Sequence, residues 1–130
     1  GVLSPINYAL HSSVADAVIS LVRQRLVQAI HDVSDGGIGV ALAEMAIAGG
    51  VGFTASDIAG HQELFSESPS RVIICVAQQA AASVERFVSE LGVPIRTIGT
   101  VGGDRIAIRG LVSIPLMSAR DAWSSVNIAV

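Results

Sequence analysis

Three glycine pairs, Gly36-Gly37, Gly49-Gly50 and Gly102-Gly103, cut this chain into short apolar segments, none of which can build a core by itself. Glycine loses more backbone freedom on folding than any other residue, so paired glycines end helices and strands and seldom sit inside them. The segments between the pairs must therefore bury their apolar surfaces against one another. Ala, Val, Ile and Leu carry most of the 51% hydrophobic content, and 130 residues suffice for one domain with its own core. No run approaches the roughly 18 to 20 apolar residues of a membrane-crossing helix, so no membrane partner is expected.

The eight residues in the Lys+Arg count are all Arg. A Walker-type phosphate lysine, a Schiff-base lysine and a lysine-rich nucleic-acid patch are thereby excluded within this chain, and the net charge of −3 also argues against nucleic acid. Cys75, the single cysteine, permits no internal disulfide and no zinc-binding CxxC pattern. Its setting, Val72-Ile73-Ile74-Cys75-Val76, predicts a buried structural thiol. The opening residues Gly1-Val2-Leu3-Ser4-Pro5 have no basic region ahead of an apolar stretch, so no signal peptide is expected and a cytoplasmic setting fits. The absence of an initial Met suggests a piece taken from a longer protein.

Apolar residues Val14, Ala17, Val18, Leu21, Val22 and Leu26 recur at helical spacing and predict a helix over 13–26. A strand over 27–33 is expected to stop at the loop Ser34-Asp35-Gly36-Gly37. Residues 38–48 read as a helix apolar nearly all round, broken only by Glu44, which should lie buried between layers. A short strand over 51–55 precedes an irregular polar stretch over 56–69 with one helical possibility at 61–65. Residues 71–76 predict a central strand buried on both faces, and 78–91 a helix ended by Gly92 and Pro94. Strands over 95–101 and 105–109 flank Gly102-Gly103-Asp104, a hairpin signal. A strand over 111–114 and a helix over 118–127 complete the chain. Helices and strands do not alternate strictly, so the expected fold is a single α+β domain over 1–130, a layered sandwich with a mixed sheet.

The stretch His31-Asp32-Val33-Ser34-Asp35-Gly36-Gly37 carries the most chemistry. Its glycines let backbone N–H groups approach a ligand, and the helix N-terminus beyond them favours an anion. Asp32 and Asp35 would repel a bare phosphate. Either a magnesium ion sits between, or Asp35 is a helix N-cap and Asp32 a loop hydrogen-bond acceptor. His31 is an acid or base, or a structural residue ending its strand. The second stretch, Leu64-Phe65-Ser66-Glu67-Ser68-Pro69-Ser70-Arg71, offers a carboxylate, three hydroxyls and a guanidinium. It suits sugar hydroxyls, a metal on Glu67, or a phosphate on Arg71, or else it is a loop stitched by serine-to-backbone bonds and a Glu67–Arg71 pair. Glu44 is expected to reach the loop or a partner, while His11, His61 and Trp123 read as surface or packing residues. No nucleophile elbow, dinucleotide fingerprint or helix-borne His pair is present, so no residue is assigned a catalytic role.

These two stretches, in this order, closely resemble the C-terminal part of phosphoribosylformylglycinamidine synthase, in the aminoimidazole ribonucleotide synthetase superfamily, over about residues 10–123. The resemblance implies an α+β domain, partly ferredoxin-like, the last of four in a synthetase built from two pseudo-repeated halves. It implies ATP and magnesium as cofactors of the whole enzyme, which activates formylglycinamide ribonucleotide as an iminophosphate for displacement by ammonia. The implied partners are the preceding domains of the chain, a glutaminase subunit and a small accessory subunit. A Ser-Glu-Ser loop holds nucleotide substrate in the family's first half; Ser66, Glu67 and Ser68 match its wording but fall in the second, where the site is auxiliary. Asp32, Ser34, Asp35, Gly36, Gly37, Ser66, Glu67, Ser68 and Arg71 are thus substrate or auxiliary nucleotide-site candidates in a fragment inactive alone. The expected cleft faces the missing domains, and an uncovered apolar face predicts self-association. The rivals are a selenophosphate or thiamine-phosphate relative in the same superfamily, or a stand-alone ferredoxin-like ligand-binding module.

Overall fold

The computed structural model describes residues 5–126, so the expectations at residues 1–4 and at Asn127 lie outside the described residues. Helix α1 (Tyr8–Arg23) starts earlier than its apolar stripe because Asn7 caps it, its Oδ1 accepting the Leu10 N–H at 3.0 Å. It ends before Leu26 because Arg25 takes a left-handed φ of 56°. Strand β1 (Ala29–Asp32) leads to helix α2 (Gly37–Gly49), which opens at Gly36 with φ 80° and closes at Gly50 with φ 64°. The Gly50 N–H donates to the Ala46 and Ile47 carbonyls, a glycine C-cap as the sequence predicts.

Strand β2 (Phe53–Ala55) and the short helix α3 (His61–Phe65) follow, then β3 (Val72–Cys75). A tight turn at Gln78–Ala80 leads into α4 (Ala81–Glu90), so the helix predicted over 78–91 is split at its start. Strands β4 (Gly99–Val101), β5 (Arg105–Ile108) and β6 (Val112–Pro115) run directly into α5 (Leu116–Val126). No described helix is long and apolar enough to cross a membrane.

The strands form two sheets. Antiparallel β1 and β3 make one, with Ala29 opposite Cys75 and Asp32 opposite Val72; the other has the order β4-β2-β5-β6 and is mixed, β2 pairing parallel with β5. The fold is therefore α+β with a mixed sheet, as expected.

Two strand expectations are corrected. β3 is not central: it pairs with β1 alone among the described strands, and Val72 at its start is exposed. Its apolar run has another cause, since alternate residues serve different cores. Ile73 is buried with α2, while Ile74 and Val76 pack with α1 and α4. Cys75, expected to be buried, is partly exposed, its Sγ 3.9 Å from Gln28 Oε1. The second correction is that β4 and β5 form no hairpin, because β2 lies between them. Gly52 is the wedge: it exchanges backbone hydrogen bonds of 2.8 Å with Gly102 and Gly103, and a Cβ there would sit 2.2 Å from the Arg105 carbonyl oxygen.

The larger core gathers α2, the inner strands β2 and β5, Leu64 and Leu116; the smaller one joins Ala17 and Leu21 of α1 to Val84 and Val88 of α4. Helix α2 shares its core with both sheets, matching the expectation of a helix between layers, but one flank stays open. Val40, Ala43 and Ile47 there line an apolar cleft of about 350 Å³ with Phe65, Ile114 and Trp123.

Candidate functional site

The fold brings the two chemically rich stretches together. The β1–β3 ladder continues past both strand ends, where the Val33 N–H donates to the Arg71 carbonyl at 2.9 Å, so the loop leaving β1 and the loop entering β3 start side by side. Beyond that point the chains interlock. Glu67 Oε1 accepts the Gly36 N–H at 2.9 Å, placing a carboxylate at the positive end of α2. Gly37, φ 69°, lies so close to the second loop that a Cβ would fall 2.7 to 2.8 Å from Phe65 C, Leu64 O and Ser66 O. Glycine at 37 is thus demanded twice, by its dihedral and by the neighbouring backbone.

Most of the remaining candidates bond within the two loops. The Ser34 carbonyl accepts the Gly37 N–H at 3.0 Å, Ser66 Oγ and Ser68 Oγ lie 2.9 Å apart, and Arg71 Nη1 donates to the Ser66 carbonyl at 3.1 Å. The loop is stitched by a serine–serine bond and a guanidinium-to-backbone bond, and among the described residues neither the expected serine-to-backbone bonds nor the Glu67–Arg71 pair forms within it: the carboxylate is drawn to α2 and the guanidinium to Ser66. Asp35 is not the N-cap either. Gly36 occupies that position, no side chain of its own can cap it, and Glu67 supplies the acceptor from across the fold. Asp32 and Asp35 are exposed, and the Asp32 carboxylate stands 3.6 Å from His31 Nδ1.

His31 and Glu44 meet each other. His31 Nε2 lies 2.9 Å from Glu44 Oε2 while Nδ1 lies 2.6 Å from the Asp32 carbonyl oxygen, so Glu44 reaches back to the strand that precedes its helix. Both acceptors are committed oxygens, and a ring with one N–H donates to one of them at a time. The geometry supports the structural reading of His31, a tie between β1 and α2.

Three side-chain pairs absent from the sequence reading, which took His11 only as a surface or packing residue, tie the second loop and its flank to the rest of the fold. Arg96 pairs with Asp57 at 3.2 Å and with Glu63, whose Oε2 accepts the Ala59 N–H at 2.7 Å. That backbone bond, chiefly, holds the Glu63 carboxyl below its ordinary value; partial burial works the other way, and the Arg96 and Arg71 charges add to the lowering. His11 on α1 meets Ser70 Oγ at 2.9 Å. These pairs join residues 33, 39 and 59 positions apart, and no local motif signals them. Among the described residues no group of three His, Cys, Asp or Glu side chains could hold a metal ion.

An α+β domain with a glycine loop seated on a Ser-Glu-Ser loop defines a class, and comparison with known proteins gives it a family. Residues 7–110 match the family described as AIR synthase related protein, C-terminal domain, and the chain belongs to it. The PurL subunit of phosphoribosylformylglycinamidine synthase from Methylocella silvestris is 39% identical over 129 residues, which are 95% of this chain and 18% of that protein. The corresponding Rhodospirillum rubrum subunit is 37% identical over 123 residues, 92% of this chain and 16% of the relative. The chain thus spans less than a fifth of the length of these curated relatives. Thermotoga maritima PurL has the same fold at 18% identity: in a PurLQS structure the TM-score is 0.78 over 90% of this chain and 22% of that one, and in a complex with FGAR 0.74 over 85% and 21%.

Proposed function

We propose that this chain is the C-terminal domain of a synthetase that converts formylglycinamide ribonucleotide to its amidine with ATP, an amidine-forming carbon–nitrogen ligase. The observation that carries this reading is the 39% identity to a PurL subunit across 95% of the chain. Support also comes from Thermotoga maritima PurL, of like fold, which has been solved in complexes with FGAR and with ATP. The domain contributes no catalytic residue and is inactive alone. Its loops over 32–37 and 66–71 line one wall of a nucleotide or substrate cleft whose other wall belongs to preceding domains.

The donor set fits a metal-bridged phosphate better than a bare one. The Gly36 N–H at the α2 N-terminus is already taken by Glu67 Oε1, so an uncompensated phosphate there would meet a carboxylate. Among the described residues no three carboxylates gather to hold a metal, so a magnesium ion held by the second oxygen of Glu67 would take its other ligands from the nucleotide and from outside this chain, and Arg71 would meet the phosphate. ATP supplies the phosphoryl group that activates the amide oxygen. The Ser66–Ser68 bond uses one of their two O–H donors and leaves the other to turn toward a ribose or phosphate oxygen. The partners on this reading are the preceding domains, a glutaminase and a small accessory subunit; the PurLQS assembly of the Thermotoga maritima relative supports them.

The test is turnover by the full-length protein with formylglycinamide ribonucleotide, ATP, magnesium and ammonia. ADP released in step with amidine is expected, and no ADP release with this substrate overturns the reading. Calorimetric titration of the same protein with ADP and magnesium, and with the ribonucleotide, compared with Ser66→Ala and Arg71→Ala, then tests the loop. Affinity for both ligands unchanged in both variants removes it from the site.

A further inference from the structure

We propose that His11, on a helix belonging to the other core, is a positioning residue for the second loop, and that it acts by holding Ser70 in a left-handed conformation. Among the described residues only Arg25 and Ser70 have positive φ without being glycine. Ser70, φ 63°, is the residue immediately before Arg71, so its dihedrals set where the loop turns into β3. A serine does not adopt this region by default, and persists there when its surroundings over-determine it. Among the described residues the one side-chain bond that reaches it is His11 Nδ1 to Ser70 Oγ, 2.9 Å, spanning 59 positions of sequence.

The consequence runs through named bonds. The Arg71 carbonyl accepts the Val33 N–H, the Arg71 guanidinium holds the Ser66 carbonyl, and Glu67 next to Ser66 holds the Gly36 N–H. Releasing Ser70 frees the joint on which all three depend. Helix α1 itself is anchored elsewhere, through Ala17 and Leu21 against Val84 and Val88 of α4. His11 is therefore a polar strut from the smaller core to the loop pair, and on the reading above, which this inference deepens, it sets the loop for its ligand.

The test is residue-resolved hydrogen exchange on the full-length protein, a readout that needs no activity. His11→Phe keeps a ring and removes the nitrogen; His11→Asn places an amide atom near the position of Nδ1; Ser70→Gly adopts the same φ without cost but has no hydroxyl. His11→Phe is expected to speed exchange at Val33 and Gly36 roughly five- to tenfold, the factor that corresponds to one lost hydrogen bond. Exchange at Leu26 and Gln28, whose amides bond to Leu21 and Cys75, stays unchanged. His11→Asn restores the parental rates to within about twofold, and His11→Phe adds nothing in the Ser70→Gly background. Unchanged rates at Val33 and Gly36 in His11→Phe, an equal rise at Leu26 and Gln28, or additivity with Ser70→Gly overturns the proposal. Should exchange respond as expected while nucleotide affinity does not move, the strut stands and the ligand role of the loop fails.

Discussion

The carboxylate of Glu67 caps helix α2 from another part of the chain, its Oε1 accepting the Gly36 N–H at 2.9 Å. A helix N-cap is ordinarily a Ser, Thr, Asp or Asn whose own side chain meets the first free N–H groups. Here the cap residue is a glycine with no side chain to offer, and the acceptor arrives 31 positions later. The same bond closes one loop over the other, so helix capping and assembly of the candidate site are one event. Glu67→Ala is expected to lower stability by about 1 kcal/mol, and Glu67→Gln, which keeps an acceptor oxygen, by a few tenths. Urea unfolding measures both, and an alanine variant as stable as the parent would refute the cap.

Gly37 and Gly50 separate the two reasons for needing glycine. Both have left-handed φ, 69° and 64°, but a Cβ at 37 would collide with the backbone of residues 64–66, whereas at 50 nothing lies within 4 Å. Gly50→Ala is expected to cost about 1 kcal/mol, the left-handed penalty alone. Gly37→Ala carries that penalty plus displacement of the second loop, roughly 2 to 4 kcal/mol. Equal unfolding midpoints for the two variants would show that the loops do not press together.

Local chemistry made several elements legible beforehand. The stripe of Val14, Ala17, Val18 and Leu21 announces α1, and Gly49-Gly50 announces the end of α2. Even the five-residue α3 is readable in the polar loop. The expectations failed where a strand's neighbour is chosen by the whole fold. Gly102-Gly103 has the wording of a hairpin turn, yet Gly52 slips between the strands on either side, a choice that rests on backbone clearance at one distant glycine. The candidate site shows the same division. Its residues could be named because glycines, hydroxyls and charges cluster in two runs, but their partners could not. Glu67 chooses Gly36 over Arg71, and Arg71 chooses the Ser66 carbonyl, because α2 aims free N–H groups at the loop.

Glu63 gives the loop a defined response to acid. Its carboxyl is held below the ordinary value of 4.5, first by the Ala59 N–H and then by Arg96 and Arg71 against a partial burial that opposes them. The folded chain therefore binds this proton less readily than the unfolded chain does, and protonation favours unfolding. The contribution is fully present above pH 4.5 and is lost as the pH falls below it, through the lowered value. Glu63→Gln, which cannot ionise, should be less stable than the parent at pH 7, with the gap closing as the pH falls below 4.5. A gap in melting temperature that is constant from pH 7 to 3 would show that neither the Ala59 bond nor the Arg96 pair links the ionisation of Glu63 to stability.

The open flank of α2 predicts the behaviour of the isolated 130-residue chain. Phe65 is 55% exposed, Trp123 44% and Ile114 39%, and all three border the 350 Å³ cleft that Val40, Ala43 and Ile47 line from the helix side. Exposed apolar residues scattered singly mean little, but a contiguous group on one face is a surface that normally has cover. On the proposed function that cover is a preceding domain, so removing it leaves the cleft to pair with a second copy. Sedimentation of the isolated chain should show association at roughly 10 to 100 μM, corresponding to about 5.5 to 7 kcal/mol of binding free energy. Ile114→Lys or Phe65→Ser should return it to a monomer without unfolding it, since neither side chain is buried in the core. A chain that stays monomeric throughout that range would show that the cleft needs no cover, and the argument for an intramolecular partner at this face would fall with it.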